Sequence, residues 1–285
     1  MKKQIKDKKK NYKSTIKAEK NIQRSKIKEE KELRKANIKD AKNKFKSAKS
    51  EKKKSYLAAI KAIYESIGKP LPVNPPKRPL LEEIGNAVTH GVGAVFAIIA
   101  IVLMMVRADT PREFVGASVY SFGLFVMFSM SCLYHSFPHG STVKRLFRRF
   151  DYSSIYLLIG ATFAPILLAY VDQVKGMVFF IIQWAIIATG ITFIGVFGPT
   201  KMKWLHWSLY VILGWSGLMF IPDLYAGDGF VFLGWILGGG IIYSIGILPF
   251  ALRRGPSHFI WHFFVLAGAV VQWIGIYDCI YLAVR

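Results

Sequence analysis

The chain has 285 residues, 53% of them hydrophobic and 14% aromatic, with a formal charge of +22. Those averages conceal two regions: residues 1–60 carry 23 Lys/Arg against 7 Asp/Glu, whereas residues 81–285 carry 12 against 9 among long apolar runs. The first region lacks the apolar content to bury a core, and the second is too apolar for an ordinary soluble domain. A water-soluble globular protein is thereby excluded. What remains is an all-α integral membrane protein with a basic N-terminal extension.

In chain order, residues 1–66 alternate lysine with occasional glutamate ("KEEKELRKANIKDAKNKFK") and read as charged helix or disorder. Lysines at the start have no apolar core behind them within the first 30 residues, so a cleaved signal peptide is not expected. Pro70, Pro72, Pro75, Pro76 and Pro79 then break any helix. This divides the chain into a tail, 1–80, and a membrane domain, 81–285. The tail suits anionic lipid headgroups, each basic residue near the surface contributing about 1 kcal/mol. Nucleic acid is the weaker expectation, because aromatics are few and charge alone carries no base readout. A solvated extension that merely fixes which side of the membrane the N-terminus occupies is the plain alternative.

A hydrocarbon core about 30 Å thick requires roughly 20 apolar residues of helix. Seven segments meet that length: 87–106, 115–137, 150–170, 177–197, 204–222, 229–250 and 259–283. Short connections predict an antiparallel seven-helix bundle. Gly160, Pro165, Gly190, Gly195, Gly238 to Gly240 and Gly268 fall inside spans, where they suit close packing and local kinks. Basic residues then set the orientation. The tail, Lys144, Arg145, Arg148 and Arg149 after the second span, Lys201 and Lys203 after the fourth, and Arg253 and Arg254 after the sixth all fall on one side. The predicted topology has the N-terminus in the cytoplasm and the C-terminus outside. Trp204, Trp207, Trp261 and Tyr281 are expected as interfacial anchors, and His139 and His206 as interfacial histidines. Cys132 and Cys279 lie far apart in apolar segments and predict neither a disulfide framework nor a CxxC site.

That topology gathers the polar residues at one depth. His258 and His262 are four apart and share a helical face at the mouth of the seventh span. His135 ends the second span, Asp151 opens the third, and Glu83, Asn86 and His90 begin the first, all toward the cytoplasmic side. Ionisable residues in spans are costly and face the bundle interior. Three neutral imidazoles plus a water match the open four-coordinate arrangement of catalytic zinc, which lowers the pKa of its water to about 7. Asp151 is placed to act as general base or to orient a ligand, and Ser131, one turn before His135, to hydrogen-bond the water or a substrate carbonyl. The His258–His262 pair lacks the glutamate that zinc-protease helices carry between their histidines, so any base must come from another helix.

The stretches "EEIGNAVTHGVG" (82–93), "SMSCLYHSF" (129–137), "DYSSIYLLIGATFAP" (151–165) and "HFIWHFFVLAG" (258–268) resemble the hemolysin III family of bacterial membrane proteins, within the superfamily of progestin and adiponectin receptors. The resemblance covers the membrane domain. It implies a seven-helix bundle in the bacterial plasma membrane with zinc near its cytoplasmic face, held by His135, His258 and His262, with Ser131 and Asp151 beside the metal. Glu83, Asn86 and His90 match the family's first-span polar signature, to which no role is assigned. Eukaryotic relatives look like ceramidase-type lipid amide hydrolases, while bacterial members are linked to membrane homeostasis and, by name, to haemolysis. The chain departs from the family at Gln272, where many relatives have histidine, and at "ATFAP" (161–165), which loses two hydroxyls.

The leading expectation is therefore a zinc-binding membrane protein that hydrolyses lipid amide or ester bonds in membrane homeostasis. The rivals are a non-enzymatic receptor or sensor with structural zinc, and a membrane-permeabilising channel. A pore would want a polar file through the outer half of the bundle, where the sequence offers little beyond Gln183. Substrate and oligomeric state are not read from the sequence.

Overall fold

The computed structural model describes residues 2–66, 74–228, 230–252 and 256–283. Among these every regular element is helical. The chain divides into two units, Met1–Val73 and Asn74–Arg285.

The first unit is helix α1, Lys2–Ser66, of 65 residues, about 98 Å long at 1.5 Å per residue. Ile27, Leu33, Ile38, Phe45, Tyr56, Leu57 and Ile63 are exposed, so among the described side chains no buried face sustains it. Lysine and glutamate favour helix intrinsically. Pairs one turn apart add a few tenths of a kcal/mol each; Arg34–Glu30 at 2.8 Å, Lys35–Glu32 at 2.9 Å and Lys44–Asp40 at 2.8 Å are such pairs. Of the two conformations expected for the tail, the structure has the charged helix.

The second unit holds α2 (Leu80–Arg107), α3 (Pro111–Ser136), α4 (Thr142–Pro165), α5 (Gln173–Phe197), α6 (Lys203–Trp215), α7 (Ile221–Asp228), α8 (Phe230–Leu252) and α9 (Ser257–Ile276). A 3-10 turn joins α6 to α7 into one span, and π turns extend α4 to Tyr170 and α9 to Tyr281. Seven of these stretches are long and apolar enough to cross a bilayer. The chain is a multi-pass membrane protein.

Helix starts follow from local chemistry. Thr110 accepts from the Glu113 N–H at 3.3 Å while the Glu113 carboxylate reaches back to the Asp109 N–H at 2.9 Å, in the manner of a capping box, with Pro111 at the first helical position. Asp172 caps α5 through Val174 and Lys175. Pro165 has no N–H to continue the ladder, and the backbone widens into the π turn, closed by Val171 N–H to the Ile166 carbonyl at 3.0 Å.

Two boundaries differ from expectation, and both shape the site. Helix α2 starts at Leu80, ahead of the apolar run, because Glu82 and Glu83 suit a first turn. Helix α4 starts at Thr142, because Ser141 caps it by accepting from the Lys144 N–H at 3.0 Å. Lys144, Arg145, Arg148 and Arg149 thus lie on its opening turns rather than in a loop, and Lys144 and Arg148 are buried. The expected interfacial residues also divide. Trp204 is exposed, and His139 Nε2 pairs with the Pro75 carbonyl at 3.0 Å, as an interfacial histidine would. Tyr281 is instead a buried pin whose hydroxyl donates to the Glu113 carbonyl at 2.9 Å. His206 is also buried, with Nδ1 2.9 Å from the Tyr156 hydroxyl. Each ring has a polar partner inside the bundle, and that decides the side it faces. Arg253, Arg254, Pro70 and Pro72 lie outside the described residues.

Helix α3 is packed between α2 and α4, and α9 returns to lie against α2 and α8. Tyr120, Leu124, Phe128, Leu158, Ala161 and Ile166 form the centre of the core. The α3–α4 approach depends on Gly123: a Cβ there would collide with the Ala161 methyl and lie 3.1 Å from the Leu157 carbonyl. This close seam carries Ser131 and His135 against the start of α4.

Candidate metal centre

His135, at the end of α3, meets His258 and His262 on the first turns of α9. The Nε2 atoms of His135 and His258 are 3.3 Å apart, and those of His258 and His262 3.2 Å apart. One donor atom from each ring lies within 4.8 Å of the others, so the group could hold a metal ion. Nitrogens held tetrahedrally at about 2.0–2.1 Å from an ion are about 3.3–3.4 Å apart. His258 is already at that separation from each of the other two rings, and the whole set lies within 4.8 Å.

The tautomers make the same point. His135 Nδ1 lies 2.6 Å from Glu83 Oε2; in a neutral ring, the form a metal requires, this nitrogen donates and the Nε2 keeps its lone pair. His258 Nε2 is in contact with both other Nε2 atoms, yet a neutral ring offers it one proton or none. Two bare nitrogens therefore face each other across at least one of the contacts, or two rings compete for one proton. A shared cation converts that repulsion into coordination. His258 Nδ1 and His262 Nδ1 are buried without a hydrogen-bond partner, leaving the orientation of those two rings to packing. His262 stacks on His90, with ring centroids 3.8 Å apart and planes inclined by 22°. His135 is only 3% and His262 2% exposed, whereas His258 is half-buried and gives the set its one side toward solvent.

The surrounding polar groups divide into those in the histidine network and those beside it. Glu83, on the first turn of α2, bonds His135 through Oε2 and Lys144 Nζ through Oε1 at 3.1 Å. Lys144 is 1% exposed. Its three ammonium protons meet three acceptors: Glu83 and the Tyr134 and Phe137 carbonyls, each carbonyl at 3.0 Å. Those carbonyls belong to the end of α3, where helical carbonyls lack partners. Lys144 thereby ties α2, α3 and α4 together and fixes the carboxylate that orients His135, an outer-shell arrangement common around metal-bound imidazoles. Asn86 also approaches His135, with Nδ2 3.3 Å from Nδ1.

Asp151 is buried on α4, within electrostatic reach of His135, Arg78 and Arg148 and beside the Ser131 hydroxyl. It does not belong to the three-histidine donor set. Ser131 Oγ and both nitrogens of His90 are buried without a hydrogen-bond partner. Every residue expected at the site from the sequence lies in this neighbourhood: Glu83, Asn86 and His90 from α2, Ser131 and His135 from α3, Asp151 from α4, and His258 and His262 from α9. Gln272 stands apart and donates to the Ile236 carbonyl at 3.2 Å.

Lys144 and Arg78 are the residues that sequence reasoning missed. By charge pattern Lys144 belongs with the topology-setting cluster, and the signal for its inward role is Glu83, a glutamate at the start of the first span. Arg78 lies ahead of α2, and its guanidinium is 3.5 Å from Glu82 at the edge of the site.

Comparison with known proteins agrees with this architecture. The family model described as "Haemolysin-III related" matches residues 79–273. "Hemolysin-3" of Bacillus cereus is 36% identical over 198 residues, covering 67% of this chain and 88% of that protein. The "Hemolysin-3 homolog" of Bacillus subtilis (strain 168) is 32% identical over 198 residues, with 67% and 91% covered. The human "Monocyte to macrophage differentiation factor" is 29% identical over 213 residues, with 70% and 85% covered. The match begins one residue before α2 and ends within α9, so it takes in all three histidines and leaves α1 outside. A seven-span bundle with this histidine cluster belongs to the haemolysin III-related family.

Proposed function

We propose that the chain is a zinc-binding membrane hydrolase acting on amide or ester bonds of lipids, and that it serves membrane homeostasis. The observation that carries the reading is the convergence of three histidines, with His258 Nε2 3.2–3.3 Å from the Nε2 atoms of His135 and His262 and one donor per ring within 4.8 Å of the others, beside a buried carboxylate that is not itself a donor. An all-imidazole set suits zinc among the common divalent ions, and a bound zinc supplies Lewis acidity and activates water near neutral pH. Glu83 holds the His135 ring with its free nitrogen turned toward the other two. Asp151 would take the proton released when water adds to the carbonyl carbon and return it to the departing amine or alcohol as the C–N or C–O bond breaks, while the Ser131 hydroxyl donates to the carbonyl oxygen. The basic residues at this end of the bundle support a cytoplasmic placement, with the lipid carbonyl entering from the inner leaflet.

The test is metal content per chain in detergent-purified wild type, His135→Ala and His258→Ala, followed by lipid products resolved by mass spectrometry. The expected result is one zinc in the wild type, none in either variant, and turnover that His262→Ala abolishes. Asp151→Asn should retain zinc and lose turnover. Unchanged turnover after zinc removal would refute the proposal.

A second reading, a sensor with a purely structural ion, draws on the placement of the donors on α3 and α9, which an ion would brace. One zinc per chain, with lowered stability on its removal and no lipid product, would select it. No metal in any folded sample would discard both readings.

A further inference from the structure

Helix α1 holds a repeat that its composition conceals. Taken eleven residues at a time, the chain reads IKDKKKNYKST (5–15), IKAEKNIQRSK (16–26), IKEEKELRKAN (27–37), IKDAKNKFKSA (38–48) and KSEKKKSYLAA (49–59). Isoleucine opens the first four as Ile5, Ile16, Ile27 and Ile38, and returns as Ile60. The fifth place is lysine in all of them: Lys9, Lys20, Lys31, Lys42 and Lys53.

Eleven residues complete three turns at about 3.67 per turn, so successive repeats drift by only about 20° around a straight helix. The first and fifth places are four apart and therefore share a face. The helix thus presents one nearly straight track on which isoleucine and lysine alternate. Ile27, Ile38 and Phe45 on that track are 52%, 57% and 72% exposed.

Three kinds of occupant can be weighed against this track. A second copy of α1 would cover the isoleucines but set five lysines against five lysines along the seam, and a coiled coil needs an apolar residue where each of those lysines stands. A nucleic acid would neutralise the lysines and leave the isoleucines without an apolar partner. An anionic lipid surface accepts both, with isoleucine at the acyl boundary and lysine extending its ammonium to the phosphates. The 23 Lys/Arg against 7 Asp/Glu in residues 1–60 supply the matching charge. The C-terminal end of α1 is joined to the first span by a short stretch of sequence, which raises the effective concentration of a bilayer at that end. We propose that α1 lies along an anionic membrane surface through this eleven-residue isoleucine–lysine track. The inference is independent of the metal centre.

The test uses the full chain in vesicles of phosphatidylcholine alone or with about a third phosphatidylglycerol, a composition chosen for its surface potential. Nitroxides are placed at Ile27→Cys or Ile38→Cys on the track, or at Ala36→Cys or Ser47→Cys on the opposite face, with Cys132→Ala and Cys279→Ala. In anionic vesicles the track labels should become open to oxygen and closed to a water-soluble nickel complex, while the opposite face stays open to nickel. In the unlabelled chain, tryptic cleavage at α1 lysines, mapped by mass spectrometry, should slow at least tenfold in anionic vesicles and recover in 1 M salt, where screening extends only about 3 Å. Equal nickel access on both faces, or equal cleavage in both vesicles, would overturn the proposal. So would spin–spin broadening between track labels in neutral vesicles, which would mark a second copy. Protection produced by an added oligonucleotide but not by anionic lipid would assign the track to nucleic acid.

Discussion

Replacing Glu83 by glutamine is the sharpest probe of how the histidine cluster is held. The carboxylate receives two charged or polar donors, His135 Nδ1 at 2.6 Å and Lys144 Nζ at 3.1 Å, with Asn86 Nδ2 close behind at 3.3 Å from the same ring nitrogen. Glutamine preserves the shape but offers one acceptor oxygen and an NH₂, so one of the two donors meets another donor. The loss falls on a charge-assisted bond, which contributes about 1.5–3 kcal/mol. Outer-shell partners of metal-bound histidines lower affinity by about 10–100-fold when removed, or about 1.4–2.7 kcal/mol, and the two ranges agree. The assay is competition with a chelator of known zinc affinity on the purified full-length chain, with unfolding of the metal-free protein measured alongside. The expected result is about 10–100-fold weaker zinc binding in Glu83→Gln. An affinity within about twofold of wild type would refute the idea that this carboxylate orients the ligand.

Lys144→Met removes a buried ammonium from three acceptors and strands the Glu83 carboxylate; thermal unfolding in detergent should show about 3–5 kcal/mol lost, roughly 6–20 °C. Gly123→Ala should cost about 1–3 kcal/mol by forcing α3 from α4, and Ala161→Gly in the same chain should restore most of it, a coupling read by double-mutant unfolding. Tyr281→Phe removes one hydrogen bond to the Glu113 carbonyl at the opposite end of the bundle. It should lower stability by about 0.5–1.5 kcal/mol and leave zinc affinity unchanged. With Cys132→Ala and Cys279→Ala in place, Ser55→Cys in intact cells should react with a membrane-impermeant maleimide only after permeabilisation if the N-terminus is cytoplasmic.

The parts of this architecture that were legible in the sequence are those that depend on amount of apolar surface and on spacing. Apolar length gave seven spans, and the four-residue interval put His258 and His262 on one face. Antiparallel connection then brought His135 to them. What escaped was whatever depends on a single cap or a single long side chain. Ser141 starts α4 eight residues before its apolar run begins, and this turns Lys144 inward to Glu83. Charge counting cannot separate such a lysine from its neighbour Arg145, which stays at the surface with Asn74. Tyr281 and His206 were misplaced for a related reason: an amphipathic ring at a span end fits an interface or a buried partner equally well until the partner's position is known. The eleven-residue repeat of α1 was legible but hidden by composition, because one isoleucine in eleven residues scarcely alters an average.

The order in which the chain is made gives the Glu83–Lys144 clamp a role in biogenesis. By the time residue 151 has been synthesised, the clamp, His135 and Asp151 all exist on the first three spans. His258 follows His135 by 123 residues, about 6–25 s of translation at 5–20 residues per second. During that interval Glu83, the partner of His135 in the finished fold, is already made, whereas His258 and His262 are not. An ion held by all three histidines would be captured only when the last span joins the bundle, so metal occupancy would report that membrane insertion is complete.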